Sequence, residues 1–347
     1  MARVCMVWSP AVLGEVAGGG VAVANARSKV KTAETPAASV SNRRREQPSV
    51  WLMLVPLLRE AVARCVRRLA VCCAGLHCDS EHPRPVKVSR MSRKLMSLVA
   101  LLIALYLLLC GALFVFQRSL IYFPQPDSAV ATTDSRLKLT MPDADVWVAT
   151  RAHVGPKALI YFGGNAEDVS RNLPSFSEAF PDYALFLLNY RGFGGSGGSP
   201  SEEAIAEDAL ALFDQVYASH PQIAVIGRSL GSGVAVRLAS QRPAKQLILV
   251  TPYNSLEDIA VRQYPWMPVK WLLKDRFESG RYAAHIRVPT LLLAASDDEV
   301  IPRDSTQRLL QSFPKGVATL RVVPDAGHNS ISERAQYLQW MEDVLDR

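Results

Sequence analysis

Beyond Asp134 the sequence alternates short runs of Val, Ile and Leu with longer stretches of helical period, and this alternation limits the fold more than any other feature. The apolar runs are DVWVATRA (145–152), KALIYF (157–162), ALFLLNY (184–190), IAVIG (223–227), QLILV (246–250), TLLLAAS (290–296) and TLRVV (319–323). Helical candidates lie between them at 166–180, 201–220, 229–240, 255–264 and 304–313, and 332–345 closes the chain. Strands that are apolar on both faces belong in a mostly parallel sheet covered by helices on each side, which makes the domain α/β. The segment YPWMPVKWLLKDRFESGRYAAHI (264–286) interrupts the rhythm and reads as a small helical cap over the sheet's edge.

In a parallel α/β sheet, chemistry gathers beyond the carboxyl ends of the strands. There the run IAVIG leads into Gly227-Arg228-Ser229-Leu230-Gly231, a G-x-S-x-G pattern between a strand and a helix. That context suits a serine nucleophile on a tight turn, with Gly227 and Gly231 letting the backbone pass its neighbours and Gly233 letting the helix lie close to the sheet. The motif alone is common, and a small residue in a glycine-rich bend is the competing reading. The downstream residues decide between them. Of six histidines, His328 in VVPDAGHNS follows a late strand, and Asp298 in LLLAASDDEVIP follows the one before it. Asp298 is preferred to its neighbour Asp297 as the acid. The chain order Ser229, Asp298, His328 supplies a nucleophile, an orienting acid and a base at three strand ends.

A second glycine-rich loop, RGFGGSGG, satisfies the G-x-G-x-x-G spacing of a dinucleotide site. Its following helix does not start on those glycines: Ser199-Pro200-Ser201-Glu202 predicts a Ser199 cap, proline at the first position and Glu202 closing a capping box. Glu202 and Glu203 would also repel a pyrophosphate, so nucleotide binding is set aside. Tyr253, in VTPYNS, is placed to line the pocket or to pack in the core, and core packing is the preferred reading.

Residues 95–116 (LMSLVALLIALYLLLCGALFVF) contain no charge, and a helix of about 20 such residues crosses a bilayer. Arg90, Arg93 and Lys94 precede the run and Arg118 alone follows closely, which predicts a cytoplasmic amino end and an exported domain. No small-x-small site follows, so an uncleaved signal anchor is expected rather than a cleaved signal peptide. Leu109 is too bulky for Cys110 to sit in a lipoprotein box. Residues 1–90 have a different character: 17–49 is low in aromatics and expected to be disordered, and 50–76 could form a basic amphipathic helix on a membrane surface. Met91 followed by Ser92-Arg93-Lys94 also resembles an ordinary start, so this region is either a disordered extension or an over-extended gene start.

The net charge of +7 does not indicate nucleic acid. Residues 1–95 hold 16 Lys and Arg against 6 Asp and Glu, which leaves 23 basic and 26 acidic residues for the remainder. A nucleic-acid module would carry its basic excess on the folded unit. All six cysteines (Cys5, Cys65, Cys72, Cys73, Cys78, Cys110) precede residue 111, so no disulfide framework or cysteine metal site is expected in the main domain, and the spacing around His77 and His82 fits no zinc pattern.

The motifs FGGNAED, NYRGFGGSGGSPSE, GRSLGSGVA, SDDEVIP and GHNS over residues 120–345 resemble the α/β-hydrolase superfamily, in particular its small membrane-anchored branch. The resemblance implies an α/β-hydrolase fold with a helical cap at about 264–286, and a serine hydrolase acting on carboxylic esters, thioesters or, less often, amides. It also implies an oxyanion hole formed by the backbone N–H groups of Leu230 and Asn165. Many relatives carry His-Gly where this chain has Gly163-Gly164. No metal or organic cofactor is implied, and the expected partner is a small acyl-ester or lipid-like substrate at a membrane. Two alternatives stay open: a serine peptidase or amidase on the same fold, and a non-catalytic membrane-tethered binding module. Trp266, Met267, Trp271 and Leu272 suit either an apolar lid or acyl slot, or a core-packing helix.

Overall fold

The computed structural model describes residues 93–126 and 135–345, so the readings made for residues 1–90 and for the cysteine and histidine group at 72–82 lie outside the described residues. The chain opens with α1 (Arg93–Ile121), whose stretch Leu95–Ile121 is long and apolar enough to cross a membrane. Its central part is almost wholly exposed, as no core helix of a soluble domain would be.

The strands are β1 (Arg136–Thr140), β2 (Asp145–Arg151), β3 (Lys157–Phe162), β4 (Ala184–Leu188), β5 (Gln222–Arg228), β6 (Gln246–Val250), β7 (Thr290–Ala295) and β8 (Ala318–Val323). The helices after α1 are α2 (Leu173–Ala179), α3 (Glu202–Tyr217), α4 (Leu230–Ala239), α5 (Leu256–Gln263), α6 (Val269–Leu272), α7 (Ser279–Ala283), α8 (Arg303–Ser312) and α9 (Ala335–Leu345). Among the described residues the strands form one sheet in the order β1-β2-β4-β3-β5-β6-β7-β8. β2 is antiparallel to both its neighbours, and β4, β3, β5, β6, β7 and β8 run parallel.

Side chains alternate across this sheet. Ala158, Ile160 and Phe162 of β3, with Ile223 and Val225 of β5, join Leu212 of α3, Val234 of α4 and Leu309 of α8 in one core. Leu159, Tyr161, Ala224 and Ile226 join Phe176 of α2 and Tyr337 and Met341 of α9 in the other. Each fully buried Val, Leu or Ile contributes about 1.5–3 kcal/mol, so a sheet apolar on both faces is stable only with both helical layers in place.

Three local readings are corrected. β1 is a strand that the sequence reading passed over; its Arg-Leu-Lys-Leu-Thr alternation is short and mostly half-exposed. The stretch expected as one helix at 166–180 divides into a 3-10 turn at Val169–Asn172 and the short α2, with Pro174 in the first turn of α2. The cap of α3 is Ser201, not Ser199: Ser201 is extended (φ −153°, ψ 159°) and its hydroxyl accepts the N–H of Ala204. Glu202 closes no capping box. Its carboxylate accepts the N–H groups of Arg276 and Phe277 (2.7 and 2.9 Å) and so fastens the 264–286 segment to α3.

The end of α1 is fastened to the same segment. Gln117 donates to the Leu272 carbonyl (3.1 Å) and accepts from the Lys274 N–H (2.7 Å). Arg118 pairs with the buried Asp275 at 3.0 Å, and the Tyr122 hydroxyl donates to the same carboxylate.

Candidate active site

Ser229 stands between β5 and α4 with φ 50° and ψ −117°, a conformation that an L-residue adopts only when its surroundings impose it. Those surroundings are crowded. A Cβ on Gly227 would strike the Gly231 carbonyl, and one on Gly231 would strike the carbonyls of Phe162 and Gly163. A Cβ on Gly233 would meet Tyr253 and Phe277. The glycines let the turn press against β3 while Ser229 points outward at the amino end of α4. Replacing Gly231 with alanine should therefore cost about 1–3 kcal/mol, measurable as a lower chemical-denaturation midpoint at an unchanged slope.

The three residues that the sequence reading put at strand ends meet here. His328, in the loop after β8, lies with Nε2 2.9 Å from the Ser229 hydroxyl. Its Nδ1 lies 3.0 Å from each carboxylate oxygen of Asp298. Asp298 is itself held in the turn after β7, where Oδ1 accepts the N–H groups of Val300 and Ile301 at 2.9 and 2.7 Å. With the ring proton on Nδ1, facing the carboxylate, Nε2 is left to accept the serine proton. Asp297 turns elsewhere: its carboxylate accepts from the Ser296 hydroxyl. Glu299, the third acid that the sequence places in this turn and not the one chosen, accepts the backbone N–H of His328 (3.1 Å) and so steadies the histidine loop.

Asn165 and Leu230 border the same cavity as Ser229. Leu230 is the first residue of α4, so its N–H belongs to the helix turn that lacks intrahelical acceptors. The loop of Asn165 is tied down at several points. Tyr190 donates to the Gly163 carbonyl (2.7 Å), the Gly164 N–H to Glu167 (2.7 Å), and the Asn165 side-chain amide to the Ile121 carbonyl (3.0 Å). The Asn165 carbonyl accepts the Phe123 N–H (2.9 Å). The loop is thereby joined to the end of α1.

Two spaces open from Ser229. The larger, about 480 Å³, is mainly apolar, walled by Leu113, Phe114 and Leu120 of α1, by Leu256 and Ile259 of α5, and by Met267 and Leu272. Tyr253 borders it while remaining buried, its hydroxyl donating to the Leu230 carbonyl. The smaller, about 250 Å³, is lined by Gln125, Glu167, Arg228, His328 and Asn329. In it Arg228 lies 3.6 Å from Glu167 and donates to the Asn329 carbonyl. Burial works against the Arg228 charge, but the Glu167 carboxylate and the nearby tyrosine hydroxyls outweigh it, and the guanidinium is held above its ordinary range. The sequence reading found neither Arg228 nor Glu167: one is the free position of G-x-S-x-G, and the other is a single acid in a loop. Nor did it give α1 a part in the pocket. Among the described residues no cluster of three or more His, Cys, Asp or Glu could hold a metal ion.

A family model described as serine aminopeptidase, S33, matches residues 158–282, and one described as PhoPQ-activated pathogenicity-related protein matches residues 268–346. The uncharacterized protein Rv2307c of Mycobacterium tuberculosis is 34% identical over 233 residues, which cover 61% of this chain and 80% of that protein. The alpha/beta hydrolase domain-containing protein aho-3 of Caenorhabditis elegans is 30% identical over 195 residues, or 54% of this chain and 57% of that one. Among solved structures, the Pyrococcus furiosus esterase Pf2001 superposes with a TM-score of 0.51 at 17% identity, covering 65% of this chain and 97% of that chain, a likeness of fold alone.

Proposed function

The chain belongs to the α/β-hydrolase superfamily, and on that premise we propose that it is a membrane-anchored serine hydrolase cleaving carboxylic esters or acyl thioesters. The observation that carries the reading is the chain of contacts from Ser229 through His328 to Asp298, at 2.9 and 3.0 Å. Ser229 Oγ attacks the acyl carbon as His328 takes its proton, and Asp298 stabilises the imidazolium. The oxyanion is held by the N–H groups of Leu230 and Asn165, each donor being worth about 3–4 kcal/mol in such a site. Collapse expels the alcohol or thiol, which leaves with the proton from His328. Water then attacks the acyl-serine, gives its proton to His328, and releases the carboxylic acid with Ser229 restored. The basic residues Arg93 and Lys94, at the start of α1 and ahead of its apolar run, support an orientation with the amino end in the cytoplasm, the hydrolase domain (117–347) on the exported face and its cap at about 264–286.

The apolar lining of the larger cavity favours an acyl chain there, leaving the polar space beside Arg228 for the leaving group. An aminopeptidase would need a carboxylate available to the substrate ammonium. Glu299 is engaged with His328, and Glu167 with Gly164, Tyr161 and Arg228. For p-nitrophenyl esters from acetate to octanoate, kcat/KM should rise about fourfold per methylene, the equivalent of roughly 0.8 kcal/mol for each buried CH₂. A flat chain-length profile, or a preference for aminoacyl anilides, would overturn this substrate reading. Absence of turnover on any ester by the folded protein would favour the binding module.

A further inference from the structure

The apolar run of α1 has no length to spare. Its 22 residues from Leu95 to Phe116 rise about 33 Å, close to the roughly 30 Å of bilayer hydrocarbon. If α1 spans, anything packed beside it between these residues lies inside the membrane. The cap does pack there. Its contacts descend α1 in order: Asp275 pairs with Arg118 and Leu272 bonds Gln117, while the Trp266 carbonyl accepts from the Tyr106 hydroxyl at 3.1 Å. Tyr106 lies eleven residues below Gln117, about 16 Å along the axis and near the middle of the span.

We propose that the cap segment 264–274 is immersed in the bilayer leaflet next to the folded domain, and that the acyl cavity between cap and α1 receives its lipid-like substrate sideways from that leaflet. The entry step rests on the reading of Ser229 as an acyl-accepting nucleophile. The segment's chemistry fits hydrocarbon. It contains no acidic residue, Trp271 is 86% exposed, and Trp266, packed edge-on against Tyr264, is still 49% exposed. Backbone donors left unpaired are costly in lipid. Here Pro265 and Pro268 have no N–H, and six of the nine other backbone donors of 264–274, those of Tyr264, Met267, Trp271, Leu272, Leu273 and Lys274, are bonded within the fold. Lys274 lays its ammonium over the Phe114 ring at 4.2 Å, and the exposed Lys270 has the reach to bring its charge to the headgroups. The cavity lies between these surfaces, with Leu113, Phe114 and Leu120 on one wall and Met267 and Leu272 on the other. Its acyl slot thus adjoins acyl chains.

The full chain, reconstituted in phosphatidylcholine vesicles with and without bromine-labelled acyl chains, supplies the test. The emission difference between wild type and Trp271→Phe isolates that indole, and the exposed position makes the variant structurally benign. Strong quenching of Trp271 by brominated lipid, with protection from aqueous acrylamide, is the expected result. Quenching by acrylamide and not by bromolipid would overturn the immersion. In the same vesicles a long-chain ester should be hydrolysed at a rate set by its mole fraction in the bilayer. A rate set by its bulk concentration would overturn lateral entry. Labelling by a fluorophosphonate probe is followed in parallel: labelling without quenching would sink the immersion and leave the hydrolase reading intact. Quenching without labelling would remove the hydrolase reading and the substrate entry that rests on it.

Discussion

Ser229→Ala should lower ester turnover by about 10⁴-fold or more while the protein remains folded. The attacking oxygen is lost, and the imidazole of His328 has nothing at 2.9 Å to activate. The small remaining rate would come from oxyanion donors and substrate positioning alone. Stability should not fall, because Ser229 occupies φ 50°, ψ −117°, a backbone state that costs on the order of 1–3 kcal/mol. Alanine inherits that strain, whereas Ser229→Gly should relieve about 1 kcal/mol of it and raise the melting temperature while remaining inactive. A Ser229→Ala protein keeping a tenth of wild-type turnover would exclude the acyl-serine route.

The largest effect on stability should come from Asp208→Ala, with a loss of about 3–5 kcal/mol. Asp208, on α3, has no exposed surface and receives two arms of the Arg191 guanidinium at 2.9 Å. The third arm reaches Asp143 at 2.6 Å. Burial pushes the Asp208 carboxyl up, and the opposing arginine holds it down only in part. Removing the acid leaves a buried guanidinium paired with one exposed partner, which is the costly configuration. Replacing both members with apolar residues of similar volume should cost much less, so a double-mutant cycle in urea should show strong coupling. A loss below about 1 kcal/mol for Asp208→Ala alone would show that the arginine finds other solvation.

That pair also explains the glycine-rich loop after β4. Gly192, Gly194, Gly195 and Gly198 have positive φ, and Ser196 accepts the N–H of Trp147. The loop is a packed crossing anchored by Arg191.

The sheet was legible because its parallel strands are buried on both faces, which leaves runs such as LILV (247–250) with no polar position to confuse their period. The active-site candidates were legible because each follows a strand directly, so chain order alone put Ser229, Asp298 and His328 at one edge. β1 was hidden by its half-exposed position, where Arg and Lys alternate with Leu and leave too few apolar residues to count. The cap of α3 was misread because Ser199-Pro200 satisfies a local rule, whereas Glu202 is claimed by the N–H groups of Arg276 and Phe277, more than seventy residues away. The same distance concealed the pocket wall. Nothing local in α1 distinguishes Leu113 or Leu120 from residues that face lipid, and only the Gln117, Arg118 and Tyr122 contacts to 272–275 bring the cap against them.

The central claim, that Ser229 is an activated nucleophile, is tested most directly by exposing the membrane-reconstituted full chain to a fluorophosphonate probe and mapping the adduct by mass spectrometry. A single adduct on the Ser229 peptide of the wild type, absent from Ser229→Ala, is the expected result. Folded wild type that takes up no probe, or a label that persists in Ser229→Ala, would contradict it.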